Sequence, residues 1–366
     1  MIADVIEGKD LIIIDLRCKA KALSTTVYGG GLRGLTHVVF KSVDEDFNHS
    51  KPWEYAKELV KSLNLPLDTT AVFLTAVDVV SNKVVKELEK PVKSFTVVTA
   101  GVKYLSCIDS IDSNYNVNSA STINIFTLVY ANLSDSALVD LMRVVTEAKV
   151  AAVNDAGISC TYSRALGTVT DAIAVASVPR GELIHYAGTA TAIGAATSKL
   201  TYNAVIEAIS RELTINDRLK YVINLGLDEI SDLALKIYKK APVPGVPDDI
   251  AKQLITNELS KVLKDPNVWS LMIASKELNL MSYSGTIPNL SRGEFLNDTT
   301  KVVADEILGI ALSTYINGWK GMFNFYWVER IKSELNEIKD LPAFTDDVLS
   351  ALLGAVLSKV YDRLIS

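Results

Sequence analysis

Two acidic pairs in the second half of the chain, and a set of threonine- and glycine-rich turns in the first, are the residues best suited to chemistry. Asp305–Glu306 sit in VVADEILG, and Asp346–Asp347 in FTDDVLSALLG. These are hard oxygen donors. Brought together in space, four such carboxylates suit Mg²⁺, a cation that keeps waters, binds phosphate oxygens and lowers the pKa of an attacking water. Between the pairs lies NGWKGMFN, which reads as a glycine-rich loop. Its glycines free the backbone, Lys320 offers phosphate a point charge, and Trp319 offers a flat base a stacking face. The bland alternatives are solvated or helix-capping acids and core aromatics. Capping suits Asp346 and Asp347, which open the last helical pattern. It does not suit Asp305 and Glu306, which this pattern places in the middle of an apolar helix.

In the first half, GTVTD offers the hydroxyls of Thr168 and Thr170 and the carboxylate of Asp171 at the start of an apolar strand. A charge in such a place has to be paired or functional; the alternative is a turn with a capping Asp. Gly29, Gly30 and Gly31 follow a strand and allow a tight, positive-φ path. Backbone N–H groups in such turns bind oxyanions or amide carbonyls. Gly188 and Thr189, in AGTATAIG, form a further turn of this kind. Glu147 interrupts an apolar helical stretch and reads either as a base or substrate clamp or as a solvated acid. Lys149, two residues on, faces a different side of the helix. The histidines, His37, His49 and His185, are too scattered to form a metal cluster by spacing.

The elements that must position these groups differ between the halves. LIIIDL, THVVFKS, TAVFLTAV, SFTVVTAG, STINIFTLVYAN and DAIAVASVP are β-branched runs closed by turn residues, and read as strands. Helical patterns cover 50–65, 134–157 (capped at Ser134 or Asp135 and stopped at Gly157) and 192–211. After about residue 212 the strand signal fades. Helices are expected from Asp228 to Lys239, from Asp248 or Asp249 to Leu263, from Pro266, and over 299–316, 326–338 and 345–365, with APVPGVPDD as a break. The fold class is therefore multi-domain: an N-terminal α/β domain, residues 1–212, with a mixed sheet and covering helices, and a C-terminal all-α domain, residues 213–366.

The net charge of −6 leaves no basic footprint for nucleic acid and disfavours an anionic membrane surface. No apolar run reaches the roughly 18 residues of a spanning helix, and Asp4, Glu7 and Asp10 interrupt the opening, which does not read as a secretory signal. The sparse, odd set Cys18, Cys107 and Cys160 fits a reducing cytoplasm and reads as small buried hydrophobes.

LSTTVYGGGL, LTAVD, VVTAG, STINI, TEAKVAA, GTVTDAIAVA and YAGTATAIG, in this order over about residues 8–211, resemble the adenosylcobinamide amidohydrolase family. The resemblance implies hydrolysis of the amide that joins the aminopropanol tail to a corrinoid ring, with the corrinoid as substrate and no organic cofactor. Amide hydrolysis needs an activated water or nucleophile and an oxyanion partner. On this reading Asp171 or Glu147 activates water, or Thr170 attacks. Turn N–H groups at 29–31 or 166–168 hold the oxyanion, and Thr168, Gly188 and Thr189 bind substrate. Where the family is expected to carry G-x-H-T, this chain has Gly188-Thr189-Ala190-Thr191, and Val169 replaces a common glycine.

VADEILG, YINGWKGMFNFYWVERIKSE and FTDDVLSALLGAVLSK, within about 215–366, resemble the phosphatidylglycerophosphatase A-like superfamily, in particular its soluble branch that contains α-ribazole-5′-phosphate phosphatase. This implies a divalent metal, Mg²⁺, at Asp305, Glu306, Asp346 and Asp347, with Lys320 and Trp319 on the substrate. Together the two resemblances imply a cytoplasmic bifunctional hydrolase of cobalamin salvage with small-molecule substrates, no nucleic-acid partner and no membrane span, and they are compatible with a homo-oligomer. The alternatives are one active half, a non-catalytic corrinoid-binding protein, or a phosphatidylglycerophosphate phosphatase.

Overall fold

The computed structural model describes residues 3–47, 50–108, 122–297, 301–339 and 341–365, so His49 lies outside the described residues. The chain divides into two units. One comprises Met1–Cys160 with Arg164–Leu213; the other comprises Thr161–Ser163 with Thr214–Ser366. The first carries a mixed sheet with helices and the second is helical, which agrees with the fold class read from the patterning.

In the first unit the strands are β1 (Asp4–Glu7), β2 (Leu11–Ser24), β3 (Gly31–Ser42), β4 (Thr70–Thr75), β5 (Val84–Leu88), β6 (Ser94–Ala100), β7 (Leu105–Cys107), β8 (Ile123–Val129), β9 (Asn132–Leu133), β10 (Ala165–Thr168), β11 (Ala172–Ser177) and β12 (Leu183–Ile184). The helices are α1 (Pro52–Ser62), α2 (Val79–Asn82), α3 (Asp135–Asp155) and α4 (Ala192–Glu212). The main sheet runs β4-β3-β2-β11-β8-β6-β5, with β1 added on β2. Side chains alternate along β2. Ile12, Ile14, Leu16, Ala20 and Ala22 all face one core, and that face also takes Phe40, Phe73, Phe95 and Phe126. The sheet curls around this core far enough for the Asn124 side-chain amide of β8 to donate to the Leu74 carbonyl of β4 at 3.2 Å. On the outer face, α1 covers Val39 and Val72 with Ala56 and Val60.

The parallel pair β11–β8, in register from Ala172↔Asn124 to Ser177↔Val129, positions the first candidate site. A second, two-stranded layer pairs β10 with β7 antiparallel, Thr168 opposite Leu105 and Ala165 opposite Cys107. This layer corrects the cysteine expectation. Cys107 and Cys160 are joined in a disulfide although they are 53 residues apart. The β7–β10 pairing and the turn after α3 bring their Cα atoms to 6.1 Å, within bridging range. Only Cys18 among the three is free, and it is half-buried.

In the second unit the helices are α5 (Ile215–Ile223), α6 (Leu227–Tyr238), α7 (Asp248–Val262), α8 (Pro266–Tyr283), α9 (Arg292–Leu296), α10 (Ala304–Ile331), α11 (Asn336–Lys339) and α12 (Ala343–Ile365). α12 is buried on every side from Phe344 through Leu357 apart from Asp346, which is the signature of a central core helix. α10 corrects two expectations. It starts at Ala304, so Asp305 and Glu306 lie in its first turn, where the helix dipole favours acids, and not mid-helix. NGWKGMFN is no loop: only Asn317 (φ −147°, ψ 34°) and Gly318 (φ 57°, ψ −148°) leave the helical region. Those two residues reverse the chain. A Cβ on Gly309 would meet the Phe325 ring at 2.6 Å, and one on Gly321 would overlap the Ser313 carbonyl. In a continuous helix, residues 309 and 325 would be about 24 Å apart. α10 is therefore two antiparallel arms, 304–316 and 319–331, hinged where Gly318 takes a positive φ that L side chains rarely adopt.

Candidate functional site

At the start of β11, Asp171 sits in a closed set of donors. Its Oδ1 accepts from the Ile123 N–H at 2.9 Å and from the Thr168 hydroxyl, and its Oδ2 accepts from Lys149 Nζ. The Lys149 and Asp171 side chains are 9% and 10% exposed, so this is a buried ion pair and not a surface one. Gly167, at φ 141°, makes room for it; a Cβ there would overlap Asp171 Oδ2. The turn is tied to β8 a second time. Thr122 Oγ1 donates to the Thr170 carbonyl at 2.6 Å, and the Thr170 hydroxyl meets Thr122 Oγ1 at 3.1 Å. Thr170 is exposed, with its hydroxyl bonded to Thr122.

The structure brings Thr168, Thr170 and Asp171 together and leaves Glu147 out. Glu147 is half exposed and pairs with Arg143 at 2.8 Å, one turn back along α3. Helix phase explains the difference. The buried stripe of α3 runs through Leu138, Leu141, Val145, Ala148 and Ala152, and Lys149, not Glu147, lies on it. Lys149 is thus the residue the sequence reading under-used, and a lysine on an apolar stripe was its signal. Gly29 and Gly31 have the expected positive φ, 78° and 85°. Gly29 packs against Thr70 and Ala71. Gly31 pairs with Ser24, which pairs with Ala174, so it stands two strands, about 10 Å, from β11. The segment before the glycines touches β11 directly: Thr25 Oγ1 accepts from the Ile173 N–H at 3.0 Å.

Gly188 and Thr189 belong elsewhere. Thr191 caps α4 by accepting from the Gly194 N–H at 3.0 Å, and its hydroxyl donates to the Gly188 carbonyl at 2.8 Å. Thr189 lines an open groove of about 430 Å³ with Glu147, Lys199 and Tyr202. His185 lies in another cleft of about 780 Å³, past the ends of β8 and β11, with Arg180, Lys93 and Tyr130. His37 is on neither, bonded through Nδ1 to Thr36 at 2.9 Å.

In the second unit the α10 hairpin and the start of α12 gather carboxylates. Ligand atoms of Asp305, Glu306 and Asp347 lie within 4.8 Å of one another, and so do those of Glu329, Asp346 and Asp347. The four expected acids therefore split into two sets that share Asp347. Glu329 joins them because the hairpin folds the second arm back beside the first. Its signal was an acid as far after the Asn317–Gly318 break as Glu306 is before it. Lys332 Nζ bridges Glu329 (2.7 Å), Asp346 (2.9 Å) and Asp347 (3.3 Å). Burial, then the neighbouring Glu329, pushes the Asp347 carboxyl up to about 8. Burial, then Glu306, pushes Asp305 to about 6. Burial works against the Lys332 charge, but its bond to Glu329 and the field of Asp346 outweigh it and hold the ammonium above its usual value. One ammonium does not satisfy the set: Glu329 Oε1 is buried without a hydrogen-bond partner.

Lys320 and Trp319 are not at this cluster. Lys320 is ion-paired with Asp362 at the hairpin tip, and Trp319 projects into solvent. From residue 305 to the tip is about 18 Å along the first arm. The helical rise separates them; the sequence showed only proximity along the chain.

A family model for adenosylcobinamide amidohydrolase matches residues 2–217. The chain belongs to the adenosylcobinamide amidohydrolase family. Among curated relatives, an adenosylcobinamide amidohydrolase from Methanosarcina mazei is 31% identical over 204 residues, 53% of this chain and 90% of that protein. An uncharacterized protein of Methanocaldococcus jannaschii, MJ1330, is 30% identical over 116 residues, 31% of this chain and 88% of its own length. Among solved structures, the low temperature requirement C protein from Listeria monocytogenes aligns at TM-score 0.34 and 22% identity, covering 42% of this chain and 95% of its own. No helix among the described residues is long and apolar enough to cross a membrane.

Proposed function

We propose that the first unit hydrolyses the aminopropanol amide of adenosylcobinamide to give adenosylcobyric acid, and that the second dephosphorylates α-ribazole 5′-phosphate. The first reading rests on family membership together with one local observation. Asp171, neutralised by Lys149 and bonded to Thr168, fixes the turn that presents Thr170, an exposed residue whose hydroxyl bonds Thr122. In this reading Thr170 is the nucleophile or positions the attacking water. Asp171 acts as its electrostatic anchor, because a carboxylate that already accepts three hydrogen bonds has little capacity left as a base. Glu147 acts only as a groove residue with Thr189.

The second reading rests on the carboxylate cluster. Its all-oxygen donor set, the orphaned Glu329 oxygen and the raised carboxyls of Asp347 and Asp305 fit a divalent cation, in our reading Mg²⁺, held by Asp305, Glu306 and Asp347 with Glu329 and Asp346 beside them. When bound, such an ion neutralises phosphate charge and makes water more acidic. The protein's own part is to hold the carboxyl groups converging, with Lys332 paired to Asp346. A single-activity enzyme is the second reading, favoured by the fully occupied hydrogen-bond set of Asp171. Incubation with adenosylcobinamide and, separately, with α-ribazole phosphate, with and without EDTA, tests both halves. Release of aminopropanol insensitive to EDTA, and release of phosphate abolished by it, are expected. No aminopropanol, or phosphate release unaffected by EDTA, removes the corresponding half.

A further inference from the structure

The α10 hairpin exposes an apolar surface that the cluster chemistry does not use. Between Ile307 and Val328 the chain carries a single charged side chain, Lys320, and that one is neutralised by Asp362. Each arm buries one stripe and exposes the opposite one. The first buries Gly309, Leu312 and Ser313, and the second buries Gly321, Phe325 and Val328. The outward stripes hold Ile307, Ile310 and Tyr315 on one arm, and Trp319, Phe323 and Tyr326 on the other, with Trp319 70%, Phe323 64% and Tyr326 62% exposed. The spacing of 319, 323 and 326 is i, i+4, i+7, the repeat of a helix face meant to pack.

We propose that this face docks against the same face of a second copy of the chain, pairing two hairpins into a four-helix layer. Area is the first support. At roughly 200 Å² per side chain, the exposed fractions of the four aromatics come to about 500 Å², and the two isoleucines bring the sum to about 700 Å². Summed over both arms, that approaches the ~800 Å² per partner of a standard interface. Composition is the second. Exposed Trp, Tyr and Phe with no Lys, Glu or Asp among them is the pattern of an interface core. Geometry is the third. Two antiparallel arms present the same ridges after a two-fold rotation, so a closed, isologous contact is available. A lipid surface is a poorer occupant. The one basic side chain between Ile307 and Val328, Lys320, is paired with Asp362, and the open end of the hairpin carries Asp305 and Glu306.

The mass in solution, by light scattering and sedimentation on the intact chain at 1–100 µM, tests this inference. A mass twice that of one chain is expected, with Trp319 emission shifted toward that of a buried indole relative to a dissociated variant. Phe323→Glu and Ile307→Glu are expected to weaken association at least about 100-fold while keeping the helical circular dichroism. If either fails to fold, Tyr326→Lys serves in its place. A monomer over the whole range overturns the inference. So does a dimer indifferent to all three substitutions, or a monomer that co-sediments with phosphatidylglycerol vesicles.

Discussion

Two ion clusters organise this protein, one buried and one partly exposed, and they are built to opposite rules. Around Asp171 every acceptor has its donor: one lysine, one hydroxyl and one backbone N–H meet one carboxylate, and the turn is rigid because nothing is missing. Around Asp347 the charges do not balance. Five carboxylates, Asp305, Glu306, Glu329, Asp346 and Asp347, gather there, and Lys332 pairs with three of them, Glu329, Asp346 and Asp347. The first arrangement stores stability. The second stores repulsion, which a cation relieves on binding. A satisfied cluster is what a scaffold needs, and an unsatisfied one is what a binding site needs.

The sharpest way to break the contrast is to remove one partner from each. Asp171→Ala strands a buried lysine and is expected to destabilise the first unit by about 3–5 kcal/mol, while a Lys149→Met/Asp171→Leu double variant regains part of the loss. Urea unfolding measures both. Asp347→Asn is expected to do the reverse in the metal-free protein. It raises the melting temperature by a few degrees, because repulsion goes, and it abolishes Mg²⁺ binding in calorimetry. A loss of stability there would place the two clusters in one class.

A pH series in EDTA sharpens the difference. The folded pKa values of Asp347 and Asp305, about 8 and about 6, lie above the unfolded value near 4. An acid whose folded pKa is raised contributes stability that is present at low pH and lost as pH rises through that value. The second unit is therefore expected to melt progressively lower from pH 6 to pH 8 in EDTA, and saturating Mg²⁺ is expected to cancel the slope. Gly318→Ala should cost about 1–3 kcal/mol, since the reversal of α10 needs its positive φ. It should also weaken cation binding by moving Glu329. The smallest effect is expected at Glu147→Gln. Its pair with Arg143 is exposed and screened by solvent, and amide hydrolysis should be unchanged within twofold. A large loss of activity would return Glu147 to the catalytic set.

Local periodicity was enough to read the strands of the first unit, the long helices α3 and α4, and the change to helices near residue 213, because each follows from the nearest few side chains. Asp171 at the head of an apolar strand announced a buried charge, though its partner needed helix phase. What the sequence could not show was every consequence of distance. The Cys107–Cys160 bridge depends on β7 pairing with β10. The grouping of Glu329 with Asp305, and the removal of Lys320 and Trp319 to the far tip, depend on a two-residue reversal inside what reads as one helical run.

By itself, then, the sequence determined the kinds of elements, the chemistry available to each half, and the family. Which carboxylates share a site, which lysine neutralises which acid, and which aromatic face is left bare were decided only by the tertiary structure. Side-chain pattern sets how a segment folds on itself. Partners tens of residues away are chosen by how those segments then pack.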